Sequence, residues 1–518
     1  MHKYWGKKPS NDLNELIGKY SNPGDILLDP FSGYGVFCCE AYIMQRNVIS
    51  NDLNPVAHFL NCQLLEKDLD LEKIKFEWRN IKSEFQLFIN SWYGVILNNI
   101  NVELITILRD KADKPIKAKF KIEAKRNPEE LIFSSKEIDD YLMFEKSQEI
   151  TDWYPKIKLI SNSRISAKPN MQVEDLFTKR TLACHSRLFS LINKYSSGNE
   201  LKLFKVAFTA NLANCSKLVP PIKSRGDISQ GAWMTGFYVG ETYIENNVLH
   251  YFENRLKKVI KGKEDYFSQF NKKYGSIKDV RAKDESDDFN NKTFGYLTLM
   301  NDAKCLQLKD NSVDYVFTDP PYGEAVPYFE QSVIWNAWLE FSPNYECEIV
   351  ISDSKERNKN HEIFENEINK AFSEIARVLK PNKYFSLTYH SLSGKEWKAI
   401  TNACIRNGFE LRDFKWLVQK SFTPRQINNN KSIKGDVLIT LKKSFKPTNI
   451  EHIDDEILEK EIIELIKKDL KNLTLETNDI FLLVMKMLFS KQTLVNNLDL
   501  LQILKNNFGF INGKWKIK

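Results

Sequence analysis

Apolar and polar positions divide the 518-residue chain into short apolar runs separated by segments of helical spacing. Residues 12–20 have that spacing, and Asn22-Pro23-Gly24-Asp25 is a turn that delivers the chain into the apolar run 26–28, a predicted buried strand. The strand ends at Asp29-Pro30-Phe31-Ser32-Gly33-Tyr34-Gly35. Residues 36–46 then read as a helix and 47–50 as a second strand, ending at Asn51-Asp52-Leu53-Asn54-Pro55. Strand, glycine turn, helix, strand is the opening of a doubly wound α/β domain, whose ligand lies at the carboxyl ends of the strands. Two further strands come much later: 294–300, ending in Asn301-Asp302-Ala303, and 312–317, ending in Thr318-Asp319-Pro320-Pro321-Tyr322. Asp29, Asp52, Asp302 and Asp319 are thus predicted at the carboxyl ends of four successive strands.

The pattern continues with a helix at 329–340, expected to pack on the sheet, and a helix at 364–379 stopped by Lys380-Pro381-Asn382. A strand at 384–389, a helix at 397–407 and strands at 409–417 and 437–441 complete the domain. Between the second and third strands lies an insertion of residues 61–292. Its segment 71–94 is a helix whose Phe76, Trp78, Phe85, Phe88 and Trp92 suit a core. Its segment 116–124 alternates Lys117, Lys119 and Lys121 with Ala118, Phe120 and Ile122, which suits either a phosphate-tracking strand face or an ordinary charged edge strand. Helices are predicted at 201–212 and, with a basic face, at 243–267. Residues 450–518 form a small C-terminal helical module, with helices at 451–471, 479–489 and 498–507. It closes on a hairpin at Asn512-Gly513, in a winged-helix-like arrangement.

With 42% hydrophobic and 28% charged residues, the chain has the composition of a soluble globular protein of two or three domains. A net charge of +7 permits a polyanionic partner without requiring one. The eight cysteines are scattered, with none of the paired spacings of a zinc site, so no metal is expected and the thiols read as free. Residues 2–5 lack the apolar core of a signal peptide and no apolar run reaches membrane-spanning length, so a cytoplasmic protein is expected.

The glycine turn and the acidic Asp52 about 20 positions later fit a nucleoside cofactor, with Asp52 accepting the ribose hydroxyls, although Asp52 alone also suits a helix cap. The motif at 318–322 suits a flat ring that bears an amine. Asp319 accepts one N–H, the Pro320 carbonyl accepts the other, and Tyr322 offers a face for stacking. A Pro-Pro turn with a capped aspartate is the purely structural alternative.

These residues resemble the S-adenosylmethionine-dependent amino-methyltransferases, which methylate the exocyclic nitrogen of adenine or cytosine in DNA. Asp319-Pro320-Pro321-Tyr322 looks like their catalytic tetrapeptide, and residues 29–35 look like their cofactor loop. The segment His2-Lys3-Tyr4-Trp5-Gly6-Lys7-Lys8-Pro9 is similar to the one that precedes that loop and closes over the methionine end. The resemblance covers residues 1 to about 60 and about 293 to 445. It implies a seven-stranded Rossmann-like sheet over 1–60 and 293–445, with 61–292 an inserted region left for target recognition. It implies S-adenosylmethionine held by Tyr4, Trp5, Lys8, Pro9, Asp29, Pro30, Phe31, Ser32, Gly33, Gly35, Asp52, Asn54, Asp302 and Ala303. Double-stranded DNA with a flipped base is the implied substrate, contacted through Lys217, Lys223, Arg225 and Arg425, loop residues that also suit a merely solvated surface. The leading aspartate favours adenine N6 over cytosine N4. Methylation of RNA at guanine N2 and a fold retained only for binding are the rival readings. A restriction-modification or phage-defence setting, with a restriction endonuclease encoded nearby, accompanies the DNA reading.

Overall fold

The computed structural model describes the chain apart from residues 1, 3, 6, 7, 98, 99, 123–127, 227, 276–279, 283–293, 390–393, 418–435, 445–449, 451, 452, 472, 473, 497 and 498. At 223, 280–282, 394, 395, 416 and 417 it describes the backbone alone. The chain divides into two compact units, one of Met1–Trp5, Cys62–Gly275 and Tyr328–Pro343, the other of Gly6–Asn61, Ser276–Pro327 and Asn344–Lys518. Numbered along the chain, β1 (Ile26–Asp29) and β2 (Asn47–Asn51) belong to the second unit. The first unit holds β3 (Gly94–Leu97), β4 (Ile100–Asp110), β5 (Pro115–Lys121), β6 (Glu129–Ile132) and β7 (Thr242–Asn246). The second resumes with β8 (Val280–Ala282), β9 (Phe294–Leu299), β10 (Val313–Thr318), β11 (Leu379–Tyr389), β12 (Phe409–Leu417), β13 (Asp436–Lys443), β14 (Phe508–Ile511) and β15 (Lys514–Ile517).

The second unit is built on an eight-stranded sheet in the order β12-β13-β11-β10-β1-β2-β9-β8. From β8 to β11 the neighbours are parallel, and β13 runs antiparallel to both β11 and β12. The seven predicted strands are present, and three-residue β8 extends the edge beyond β9. Every residue of β2 and of β10 is buried, as expected where helices cover both faces of a parallel sheet. From β1 the chain winds outward to β2 and then β9, and it returns to lay β10 on the other side of β1. That reversal opens a crevice at the carboxyl ends of β1 and β10.

Residues 450–518 are not a separate module. Helices Asp455–Leu470, Thr477–Lys491 and Leu500–Asn507 bury Ile462, Phe481, Leu488 and Leu504 in one apolar cluster with Phe385, Ile400 and Leu441 of the catalytic sheet and its helices. Phe481 meets Trp397 edge-on at 5.9 Å, and Asn402 exchanges two hydrogen bonds with the backbone of Val495, at 2.7 and 2.9 Å. The predicted hairpin forms as β14 and β15, with Asn512 and Gly513 at φ 50° and 81°, values that few residues other than asparagine and glycine take readily.

In the first unit, β3, β4, β5 and β6 form an antiparallel sheet joined by β7 on β4. The helix predicted at 243–267 is therefore shifted. Thr242–Asn246 is a strand, Asn247 caps the helix by accepting from the amides of Leu249 and His250, and the helix runs Val248–Tyr274. Helix Leu71–Tyr93 buries Trp78, Phe85 and Trp92 as expected but leaves Phe76 58% exposed. The basic face of β5 is partly compensated within its own sheet, since Lys117 and Lys119 share the Glu130 carboxylate of β6. The helix predicted to pack on the catalytic sheet, Tyr328–Trp338, clusters with this unit instead, where Trp338 packs among Trp153, Phe177, His185 and Phe208. No described helix is long and apolar enough to cross a membrane.

Two fully buried arginines lock this unit. Arg109 of β4 pairs with Glu145 at 2.6 Å and Glu245 at 2.7 Å, while Arg180 reaches Glu145 at 3.1 Å and covers the ring of Tyr141. Removing Arg109 leaves two buried carboxylates sharing the single Arg180 cation in a medium that solvates them poorly. Arg109→Met is expected to destabilise this unit by about 3–5 kcal/mol, seen as an earlier transition in urea unfolding followed by tryptophan fluorescence; an unshifted transition contradicts the assignment.

Candidate active site

The loop after β1 is held from several sides. Asp29 is buried, with Oδ1 accepting from the Phe31 amide at 3.1 Å and the Thr318 hydroxyl at 2.9 Å. Burial pushes its carboxyl well above the usual range, against the pull of those two donors. Ser32 bonds the Asn51 carbonyl through both amide and hydroxyl, at 2.9 and 3.0 Å. The Asn51 side chain donates to the carbonyls of Pro30 and Asn301, at 3.1 and 3.0 Å, and so fastens the loop to the segment that follows β9. Asn61 donates to the Gly33 carbonyl at 2.8 Å and accepts from Ser50 at 2.7 Å. Gly35 has φ 81°, and a Cβ there would sit 2.0 Å from Asn61 Oδ1, so only glycine fits.

Asp52 follows β2, partly buried, and its two oxygens accept from the amides of Gly33 at 2.8 Å and Asn54 at 2.9 Å. Burial raises its carboxyl to about 6 despite those bonds. Asp302 accepts from the Lys304 amide at 2.9 Å and lies 3.2 Å from the Lys304 ammonium, with Ala303 buried beside it. Asp29, Asp52 and Asp302 thus line the carboxyl ends of three neighbouring strands. Gly33 and Gly35, at φ 51° and 81°, make a tight turn out of β1, and the Asp52 carboxylate lies against it through the Gly33 amide. This donor set fits an adenosyl cofactor.

Asp319 follows β10, next to β1. Its Oδ1 accepts from the Thr388 hydroxyl at 2.7 Å and from the Tyr322 hydroxyl, and its Oδ2 lies 3.1 Å from the Lys8 ammonium. Lys8 is also 2.7 Å from Asp436 Oδ2 and 3.1 Å from the Tyr322 hydroxyl. Burial raises the Asp319 carboxyl, while Lys8 and the two hydroxyls pull it back down. Tyr322 meets Tyr389 edge-on at 6.2 Å. Pro320 is buried and Pro321 partly so.

The other expected site residues are distributed differently. Lys8, read as a cofactor residue together with Pro9, lies against the Asp319 carboxylate. Tyr4 and Trp5 pack in the other unit against Tyr328 and Trp335, with Trp5 and Trp335 centred 5.3 Å apart. Lys217 is held by Asp113 at 2.8 Å rather than free for phosphate, and Arg225 is exposed on the short turn Lys223–Arg225. The Lys223 side chain and Arg425 lie outside the described residues. Asn51, Asn61, Thr318, Thr388 and Asp436 escape a motif reading. Asn51 and Thr318 carry one weak signal, a polar residue closing an apolar strand.

A doubly wound sheet with one reversed strand, a glycine cradle after β1 and an acidic Pro-Pro turn after β10 define a nucleoside-dependent methyltransferase domain. The model of the DNA methylase family, the N6/N4 class, matches residues 2–60 and 313–501. Over those segments, just under half of its length, the chain is similar to that family. Among curated proteins, the tRNA (guanine(37)-N(1))-methyltransferase of Candida albicans (strain WO-1) is 33% identical over 14% of the chain and 15% of its own length. The type II methyltransferase M.MjaII of Methanocaldococcus jannaschii is 27% identical over 29% of the chain and 26% of its own. The chain thus spans only a small part of these relatives. Among solved structures, a SAM-dependent methyltransferase of Methanosarcina mazei aligns with 31% of the chain and 73% of its own, at 14% identity and TM-score 0.18. A geranyl diphosphate C-methyltransferase of Streptomyces coelicolor A3(2) aligns with 59% and 97%, at 8% identity and the same TM-score.

Ribose hydroxyls bind best to an ionised Asp52. Affinity for S-adenosylmethionine is therefore expected to fall as pH drops through about 6, by up to about tenfold per pH unit. Calorimetric titration from about pH 5 to about pH 8 measures this, and a flat profile in wild type contradicts the role given to Asp52.

Proposed function

We propose that the protein methylates the exocyclic N6 of adenine in double-stranded DNA. The observation that carries the reading is the Thr318–Asp29 hydrogen bond, which fixes the acceptor Asp319 beside the cofactor loop at one crevice. Asp29 to Gly35, Asp52, Asn54, Asp302 and Ala303 hold S-adenosylmethionine, which when bound supplies an electrophilic methyl on a sulfonium. The target amine is a poor nucleophile because its lone pair is delocalised into the ring. Hydrogen bonds from its N–H groups to Asp319 and to the Pro320 carbonyl favour a pyramidal nitrogen with a localised pair. As the N–C bond forms and the S–C bond breaks, the surplus proton on nitrogen passes to the Asp319 carboxylate. Tyr322 turns from Asp319 to stack on the base, which must leave the duplex to be reached. Residues 61–292 read the target sequence, with Arg225 among the DNA contacts. The protein works in the cytoplasm, within a restriction-modification or phage-defence system that has a restriction endonuclease encoded nearby. Cytosine N4 is the alternative acceptor in the same geometry.

The similarity to tRNA methyltransferases over a short segment supports one rival, an RNA amine, and the test separates the two. DNA and RNA from cells expressing wild type or Asp319→Ala are sequenced by single-molecule methods. Wild type is expected to leave N6-methyladenine at one DNA motif. Asp319→Ala is expected to lose at least about 10³-fold in transfer while keeping S-adenosylmethionine affinity within about tenfold. Identical marks from both proteins, or marks on RNA alone, overturn the proposal.

A further inference from the structure

The acceptor carboxylate is not left to itself in the free protein. Lys8 reaches Asp319 from the N-terminal segment, and its side chain is only 6% exposed, against 13% for the side chains of both Asp319 and Asp436. An ammonium so sheltered would shed its proton unless anions compensated. Asp319 at 3.1 Å and Asp436 at 2.7 Å supply that compensation, and although burial alone would lower the lysine's affinity for its proton, the two carboxylates raise it on balance. A cation held between two carboxylates at the reacting end of a methyl-transfer site has no part in binding the sulfonium, which it would repel. Its natural partner is the group that must stay anionic.

We infer that Lys8 is a positioning residue for the reaction, clamped by Asp436 so that Asp319 meets the target amine as an aimed, ionised carboxylate. This rests on the reading of Asp319 as the amine acceptor. Among the described residues, the groups that face Asp319 are Lys8 from the N-terminal segment, Asp436 from the start of β13, Tyr322 from its own turn, Thr388 from β11 and Asp29 from the end of β1. Of these, Lys8 is the cation, and Asp436 and Asp29 oppose ionisation of Asp319. The two members of the clamp therefore act on the acceptor with opposite signs. Lys8 lowers the Asp319 carboxyl toward its ordinary range, and Asp436 raises it while sharing the ammonium.

The test follows transfer of tritium-labelled methyl from S-adenosylmethionine to unmethylated genomic DNA across pH, using the full chain. Replacing Lys8 by methionine is expected to move the acidic limb of kcat upward by about one to two pH units and so to cut kcat by about ten- to a hundredfold at pH values below the wild-type midpoint. The affinity for S-adenosylmethionine, measured by calorimetry, is expected to stay near wild type and serves as the check on folding. Lys8→Arg is expected to restore most of the lost rate, because it keeps the cation. Asp436→Asn is expected to move the limb the other way or leave it in place. An active wild type whose acidic limb is unmoved by Lys8→Met overturns this inference alone. So does a gain in kcat or tighter DNA binding in Lys8→Met, which would mark Lys8 as a competitor of the substrate amine. Wild type that transfers no methyl group to any nucleic acid removes the proposed function, and this inference with it.

Discussion

One hydrogen bond, from the Thr318 hydroxyl to Asp29, carries more of this structure than its energy alone would suggest. Both residues are buried at the carboxyl ends of adjacent parallel strands, where the direction of winding reverses. On one side of the bond the chain enters the glycine cradle, and on the other it enters the acidic Pro-Pro turn. A neutral hydrogen bond contributes only about 1 kcal/mol to stability. Its greater consequence is geometric, because it ties the glycine loop to the Pro-Pro turn; under the proposed function that fixes the distance between methyl donor and target amine, and transfer chemistry is steeply sensitive to such placement.

The same crevice shows how a buried site keeps its charges. Asp29, Asp52 and Asp319 are all pushed toward the neutral form by burial, yet each is met by donors: Thr318 and Phe31, Gly33 and Asn54, and Lys8 with Thr388 and Tyr322. Among the described residues, only Asp319 of the three meets a cation. The acceptor is thereby distinguished from the two carboxylates that shape the cofactor cradle, and the distinction arises from a residue at position 8 rather than from the tetrapeptide.

Much of this frame was legible in the sequence. Short apolar runs closed by Asp29, Asn51-Asp52 and Thr318-Asp319 announced parallel strands and their carboxyl ends, because buried strands have no alternation to confuse the reading and their first polar residue marks the exit. What the pattern could not convey was contact across distance. Lys8 and Asp436 are 428 positions apart, and no local period joins them. Thr242–Asn246 resembled the start of the helix behind it, and only pairing with β4 makes it a strand. Residues 450–518 have helices that would suit a free-standing module, and the surface that covers them belongs to a distant helix, whose Asn402 meets Val495 93 positions further on and whose Trp397 meets Phe481.

The account depends on the Thr318 hydroxyl linking the two halves of the crevice, and this is measured most directly by single-turnover methyl transfer with Thr318→Val and Thr318→Ser. Valine keeps the shape and removes the donor, and serine keeps the donor. The account predicts a single-turnover rate lowered about ten- to a hundredfold in Thr318→Val and largely recovered in Thr318→Ser. Equal rates for wild type and Thr318→Val would show that the two motifs are held in place by something other than this bond, and would contradict it.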